Sequence, residues 1–529
     1  MKKILFIVIT FLATALPAAA QDDSAHQFEV AKNLEIFNTL YRHLDMLYVD
    51  TLDAKQVIGR GINQMLQGLD PYTVYYPDAN ELQSYLAGKY AGIGALIRYN
   101  LVIDNAVIDE PYANTPAQEA GLRKGDIILS IDDSTMVGKP TNYVSSHLRG
   151  DAGTTFLLKI KRPSTGKVMT MKITRRQIQH TPTVPYYGLR PDSIGYLCLS
   201  QFTEDCTREV RRDFIDMKNR GMKAFVLDLR DNGGGSESEA VQLVNMFVKK
   251  GITVVENRGK MKRANHAYAT TVEPIDTVMP IVVLVNENTA SASEITSGAL
   301  QDLHRAVLLG TRTYGKGLVQ LPVDLPYNAQ MKVTTSKYYL PSGRCIQSPL
   351  ANGKKDQPEG GLLPDVVLQP DSVPNIVYYL SASGMDSTEV MHQYEVDYLT
   401  RHPQIAKPAD FEISDQDYAE FRQRVLQSGF KYDAESGKFM EQLRKVMEFE
   451  GYFDDAKAEY EALQKKLEHN LARDLDRHED TIRQMLSADI VAAHYYQSGT
   501  LEYNLKHDKQ MREACRLLNN LSEYRRYCP

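Results

Sequence analysis

Tryptophan is absent from the 529 residues, and cysteine occurs five times, as Cys198, Cys206, Cys345, Cys515 and Cys528. Five thiols with no C-x-x-C spacing exclude a disulfide scaffold, a zinc ribbon and a dithiol redox centre. A staple between Cys515 and Cys528 and a set of isolated thiols are both open readings. No Lys/Arg-rich run stands out, and 61 basic against 67 acidic side chains leave a formal charge of −6. Such a balance gives no general attraction to a phosphate backbone, so nucleic acid is not an expected partner. Apolar runs of the roughly 20 residues that span a bilayer are missing as well. The zincin pattern fails because Ile482 stands where His478-Glu479 would need a second histidine. Neither a metal nor a cofactor is expected.

What is present is the composition of a folded protein, 43% hydrophobic and 24% charged, long enough for several domains. Lys2 and Lys3 precede an apolar stretch over residues 4–16 and then Pro17-Ala18-Ala19-Ala20. This reads as a signal peptide, residues 1–20, with cleavage after Ala20 and no adjacent cysteine to take a lipid. The expected location is the periplasm or the exterior, with no membrane span after signal removal.

Residues 21–88 show helical spacing, carried by Val30, Leu34, Phe37, Leu40, Leu44 and Leu47, then by Ile58, Ile62, Met65 and Leu66. Residues 89–178 are strand-rich, with strands predicted at 101–108, 127–131, 156–161 and 169–174 and short helices at 116–121 and near 142–148. Strand and helix alternate over residues 179–375, which predicts a mostly parallel sheet covered by helices, extended by strands at 318–321 and 331–339. Residues 376–529 are polar and helical, and Tyr460, Leu463, Leu467, Leu471 and Leu475 recur at three or four. The fold class is therefore α/β multidomain: a β-rich segment and an α/β core between helical regions.

Chemistry concentrates in the core. The run Ile281-Val282-Val283-Leu284-Val285 is followed by a short polar loop and by Ser291, which opens a helix. A strand-to-helix turn exposes a hydroxyl at the carboxyl edge of a parallel sheet and aims free helix N–H groups where an oxyanion forms. A plain N-cap serine would look the same in isolation. Twenty-five residues on, Gly315 and Gly317 flank Lys316. Flanking glycines let the backbone approach closely and direct the lysine into a packed site. A lysine brought from a pKa of about 10.4 to about 7 or 8, at a cost of roughly 3 to 5 kcal/mol, can act as general base to a serine. Gln320 lies four residues further on, where its amide could orient the amine. The loop Asp228-Leu229-Arg230-Asp231-Asn232-Gly233-Gly234-Gly235 matches neither phosphate-binding pattern. A Gly234 amide paired with that of Ala292 suits an oxyanion better.

A glycine loop at Gly92-Ile93-Gly94-Ala95, then Ala120-Gly121-Leu122-Arg123-Lys124-Gly125-Asp126-Ile127-Ile128 and a late helix, resembles a PDZ domain. Its loop amides would form a nest for a polypeptide C-terminus, with Ile93, Val144 and Leu148 lining an apolar pocket. The runs T-A-S-A-S-E-I from Thr289, G-K-G-L-V-Q from Gly315, D-L-R-D-N-G-G-G from Asp228, Y-Y-L-P-S-G-R-C-I-Q from Tyr338 and G-L-L-P-D-V from Gly361 resemble the carboxy-terminal processing peptidases, also called tail-specific proteases. With L-D-P-Y-T from Leu69, the likeness covers roughly residues 30–370. It implies a crotonase-like core, Ser291 as nucleophile, Lys316 as general base, Gln320 as orienter, Gly234 and Ala292 as oxyanion donors, and Glu294 in support. The departures are Gly233 in place of a proline and Cys345 in place of a serine.

The reading is a serine endopeptidase that captures apolar C-termini of protein or peptide substrates on its PDZ domain. A homo-oligomer is left open. The rival class is a non-catalytic peptide-binding scaffold, and a Ser-His-Asp esterase is disfavoured by the missing G-x-S-x-G elbow.

Overall fold

Runs such as Ile281–Val285 and Ala224–Asp228, apolar without polar alternation, belong to strands buried on both faces. In the computed structural model they sit at the centre of a six-stranded sheet ordered Tyr186–Leu189, Ile194–Cys198, Ala224–Asp228, Ile281–Val285, Val307–Gly310, Val366–Val367. The first pair is antiparallel and the other four pairs are parallel. Helices Cys206–Asn219, Glu237–Asn245 and Ala292–Asp302 pack on one face, through Phe214, Leu243, Val244 and Ile295 against Phe225, Leu227 and Val283. The opposite face, presenting Tyr196, Val226, Val282 and Leu284, is covered by Met511, Ala514, Leu518 and Tyr524. The last two helices, Lys509–Asn519 and Leu521–Tyr527, thus form a layer of the core, although in sequence they continue the helical tail.

The structure describes residues 2–79, 89–179, 183–262, 265–348, 360–370, 372–381, 386–432, 435–467 and 470–528, of which residues 2–23, 89, 90, 179 and 435 by their backbone alone. The chain divides into two units, residues 1–77 with 323–333 and residues 78–322 with 334–529. In the first unit, helix Lys2–Leu47 is followed by Ala54–Gln67, capped by Asp53. Strand Val74–Tyr76 pairs antiparallel with residues 330–332. No helix among the described residues is long and apolar enough to cross a membrane.

Two expectations are corrected by strand pairing. Strands Leu318–Leu325 and Ala329–Tyr339 do not extend the six-stranded sheet. They pair with each other, and Ala329–Tyr339 pairs antiparallel with Thr253–Gly259 in a separate sheet. In the PDZ region the predicted strand at 101–108 begins inside a turn. Asn100 Oδ1 accepts the N–H groups of Val102 (3.0 Å) and Ile103 (3.2 Å), which closes the turn and delays the strand to Asn105–Pro111. The PDZ sheet runs Ala95–Asn100, Asn105–Pro111, Ile127–Ile131, Thr155–Lys161, Val168–Thr174, and it leaves Ala95–Asn100 as an edge beside helix Thr141–Leu148.

The tail also docks on the PDZ domain. Lys124 pairs with Asp109 and with Glu395 of helix Val390–Arg401, each at 3.1 Å, and Arg98 pairs with Glu389. These groups, with His392 and Asp489, line a polar cavity of about 140 Å³. The predicted stripe from Tyr460 to Leu475 is interrupted: one helix ends at Leu467, and Asn470 caps the next, Leu471–Arg477. All five cysteines are free, and Cys528 Sγ donates to the His304 carbonyl at 2.6 Å, so the Cys515–Cys528 staple is not formed.

Candidate active site

Ser291 leaves strand Ile281–Val285 and enters helix Ala292–Asp302 with φ 58° and ψ −119°. A non-glycine residue held there costs on the order of 1–3 kcal/mol and persists only where its surroundings over-determine it. They do so here. Asn286 and Asn288 donate to Asp231 Oδ1 at 2.9 and 2.8 Å, Thr289 Oγ1 donates to the Leu229 carbonyl at 2.8 Å, and the Ala290 N–H donates to the Asn232 carbonyl at 3.0 Å. The loop after Ala224–Asp228 and the loop before Ser291 are therefore laced together. Gly234, with φ 95°, lies so close that a Cβ there would meet the Ala290 carbonyl oxygen at 2.6 Å and the Ala292 nitrogen at 2.8 Å.

Glu294 is the hub of the site. It is buried at the third helical position, where Oε2 accepts the N–H groups of both Ser291 and Lys316 at 2.9 Å. Its Oε1 accepts Thr313 Oγ1 at 2.5 Å and the Gly315 N–H at 2.8 Å. Burial raises the Glu294 pKa from its ordinary value, and the four hydrogen bonds pull against that rise. A second bridge joins the same two residues: the Tyr338 hydroxyl donates to the carbonyls of Ser291, at 3.3 Å, and of Lys316. Gly315, with φ 85°, and Gly317 let the segment of Gln347 and Ser348 lie close against the turn that carries Lys316, since a Cβ on either would strike Ser348 Oγ or the Gln347 nitrogen.

The other predicted groups are placed differently. The Gly234 N–H donates to Asn232 Oδ1 at 2.9 Å, so that amide is engaged in this arrangement. The Ala292 N–H is the first of its helix, one of those that intrahelical bonding leaves over. The Gln320 amide nitrogen donates to the Leu318 carbonyl (3.1 Å) and Thr334 Oγ1 (3.2 Å), along its own strand pair. Tyr338 had no role assigned from sequence, being 47 residues from Ser291; the S-x-x-E spacing of Ser291 and Glu294 was the readable sign of the hub.

On the PDZ domain, the groove between edge strand and helix encloses about 310 Å³, with Ile93, Ala95 and Leu148 in its wall. Val144 is fully buried inside the domain, and the helix turns Thr141 and Ser145 to the groove instead. Gly94, at φ 74°, lies against Thr115, whose hydroxyl donates to the Gly94 carbonyl at 2.9 Å. No cluster of metal-ligating side chains occurs among the described residues.

Three family models match in chain order: a PDZ domain over residues 107–162, peptidase family S41 over 193–367, and the C-terminal helical domain of probable PDZ-proteases over 381–518. The carboxy-terminal-processing protease of Bartonella bacilliformis is 33% identical over 377 residues, covering 70% of this chain and 82% of that one. A carboxy-terminal processing protease of Bacillus subtilis is 28% identical over 447 residues, covering 82% and 83%. Among solved structures, a photosystem II D1 C-terminal processing protease aligns with 64% of this chain and 88% of its own, at 30% identity and a TM-score of 0.38. On its identity to the Bartonella protein and the extent of the shared length, this chain belongs to the carboxy-terminal processing peptidases, peptidase family S41.

Proposed function

We propose that Ser291 and Lys316 form a nucleophile–base dyad for hydrolysis of peptide bonds, in a crotonase-like core, and that the PDZ groove selects substrates by an apolar C-terminus. The observation that carries the reading is the double bridge: a strained serine and a lysine share one Glu294 oxygen and one Tyr338 hydroxyl. Attack of Ser291 Oγ on the scissile carbonyl would pass its proton to Lys316 Nζ, and the carbonyl oxygen would develop charge beside the Ala292 N–H. The protonated lysine would then give its proton to the leaving amine, and water would release the acyl group from Ser291. Gly234 would join as second donor once its N–H leaves Asn232, and Gln320 would orient the lysine by accepting from Nζ on its Oε1. The basic, apolar and small-residue order of the first 20 residues supports export to the periplasm or exterior.

Ser291→Ala and Lys316→Ala should each abolish cleavage of an unfolded reporter protein while leaving the fold intact, and Lys316→Arg should be equally inactive because a guanidinium keeps its proton. Retained cleavage in any of the three removes the dyad. Tail selection is tested with one reporter carrying a free apolar, an amidated apolar or a charged C-terminus; equal turnover of all three would show that the PDZ domain does not select by the tail.

A further inference from the structure

Helices Glu435–Glu450 and Phe453–Leu467 form a hairpin within the tail. Met440 and Tyr460 are buried in it, Tyr460 OH donates to the Met440 carbonyl at 3.0 Å, and Arg444 lies over the Phe453 ring at 5.3 Å. None of the hairpin's apolar side chains joins the cores of the PDZ domain, the sheet or the rest of the tail. Phe439, Leu443, Val446 and Phe449 follow one another at intervals of four, three and three, which puts them on one side of the first helix, and they are exposed by 68, 45, 51 and 92%. Scattered exposed apolar residues are ordinary, but a continuous stripe of this kind marks a contact surface.

We propose that this stripe pairs with the same helix of a second copy of the chain, antiparallel, about a twofold axis passing between Arg444 and Lys445. The stripe is nearly palindromic: an aromatic, two aliphatics and an aromatic, at almost equal distances from the centre. Antiparallel pairing sets Phe439 against Phe449 of the second copy and Leu443 against its Val446, as an isologous contact requires. Charge at the axis does not oppose the pairing. Arg444 is bonded to Glu448 at 2.8 Å and Lys445 lies 3.5 Å from Glu441, so each cation is balanced on its own helix. The four side chains would bury on the order of 500 Å² per copy, less than the roughly 800 Å² of a standard interface, which describes a concentration-dependent dimer. An unfolded polypeptide as occupant would have no use for the palindromic order.

The test is sedimentation velocity on the full-length protein over a micromolar concentration series, with circular dichroism to check helix content. The wild type should self-associate. Leu443→Lys and Val446→Glu should each raise the dissociation constant about tenfold or more, because an unpaired charge is buried against an aliphatic side chain. Mixing the two variants one to one should restore the dimer, since positions 443 and 446 face each other and the introduced charges are opposite. A monomeric wild type, a dimer that survives both substitutions, or a mixture that stays monomeric would each overturn the pairing. No outcome depends on peptidase activity.

Discussion

Replacing Glu294 by glutamine keeps the shape of the hub and removes its charge. All four partners of the carboxylate are donors: two backbone N–H groups on Oε2, a hydroxyl and a backbone N–H on Oε1. A glutamine has one acceptor oxygen and a nitrogen that itself donates, so one side of the carboxamide must face donors. If the nitrogen replaces Oε2, the amides of Ser291 and Lys316 lose their acceptor together; if it replaces Oε1, the segment carrying Lys316 is released through Gly315. The first orientation loses two hydrogen bonds to a charged, buried group and the second one, since the Thr313 hydroxyl can turn to accept; at about 1.5–3 kcal/mol each the loss is about 1.5–6 kcal/mol. With half of that expressed in the transition state, kcat should fall roughly 3- to 150-fold. The remainder should appear as a lower melting temperature. KM should change little, because in the proposed mechanism Glu294 positions the dyad without touching substrate. The assay is steady-state cleavage of an unfolded reporter, with Ser291→Ala as blank, beside a thermal melt. A kcat within about twofold of wild type would refute the argument, since the clamp would then be dispensable for the geometry it is said to hold.

Tyr338→Phe keeps the buried ring and removes only the hydroxyl bridge; at about 1 kcal/mol per neutral hydrogen bond, kcat should fall roughly 5- to 30-fold with an unchanged melt, and an unaffected kcat would leave Glu294 as sole bridge. Gly234→Ala forces a Cβ to 2.6 Å from the Ala290 carbonyl oxygen at φ 95°, so cleavage should drop by about 100-fold or more, and near-normal cleavage would show that this loop does not constrain Ser291. The cluster between PDZ domain and tail predicts a pH dependence. Lys124 and Arg98 face Asp109, Glu389, Glu395 and Asp489, with His392 beside them, and burial pushes Glu395 up to about 8 where it shares a hydrogen bond with Asp489. A carboxyl whose folded pKa lies above its unfolded value of about 4.5 adds stability at low pH, and this is lost as pH rises towards 8. Melting temperatures taken from pH 5 to 9 should therefore fall less steeply for Glu395→Gln than for wild type, whereas parallel curves would show that Glu395 does not titrate in this window.

Much of the site was legible because its residues sit in short runs whose local chemistry is self-contained. Ser291 follows an apolar strand and opens a helix, Lys316 lies between two glycines, and the order of the PDZ elements can be read from turns and alternation. What escaped was pairing between distant segments. The alternation in residues 318–325 and 329–339 is the same whichever sheet the strands join, and only the register of Glu256 opposite Tyr339 decides it. Strand Thr253–Gly259 carries Glu256, Asn257 and Arg258, too polar to be read as a strand from its residues alone. The last two helices look like the rest of the charged tail, because the side chains that cover the sheet, among them Met511, Ala514, Leu518 and Tyr524, occupy a single face of each. The PDZ likeness puts Val144 in the pocket, yet a helix packed between groove and core turns neighbouring positions to opposite sides.

The strain at Ser291 and the lacing around it belong to one design. Loop 228–235 supports loop 286–290, which forces the serine into its sparsely populated conformation, and Glu294 and Tyr338 then tie Lys316 to that serine from two other segments. Each segment ends at the carboxyl edge of a strand or at a helix start, where backbone N–H groups are left over and a carboxylate or a hydroxyl can collect several of them. The proposed nucleophile and base are thus tied to each other mainly through backbone groups. Such an arrangement should fail as a unit: loosening any one segment displaces Ser291 and Lys316 together, so substitutions at Glu294, Tyr338 and Gly234 should combine with less than additive loss.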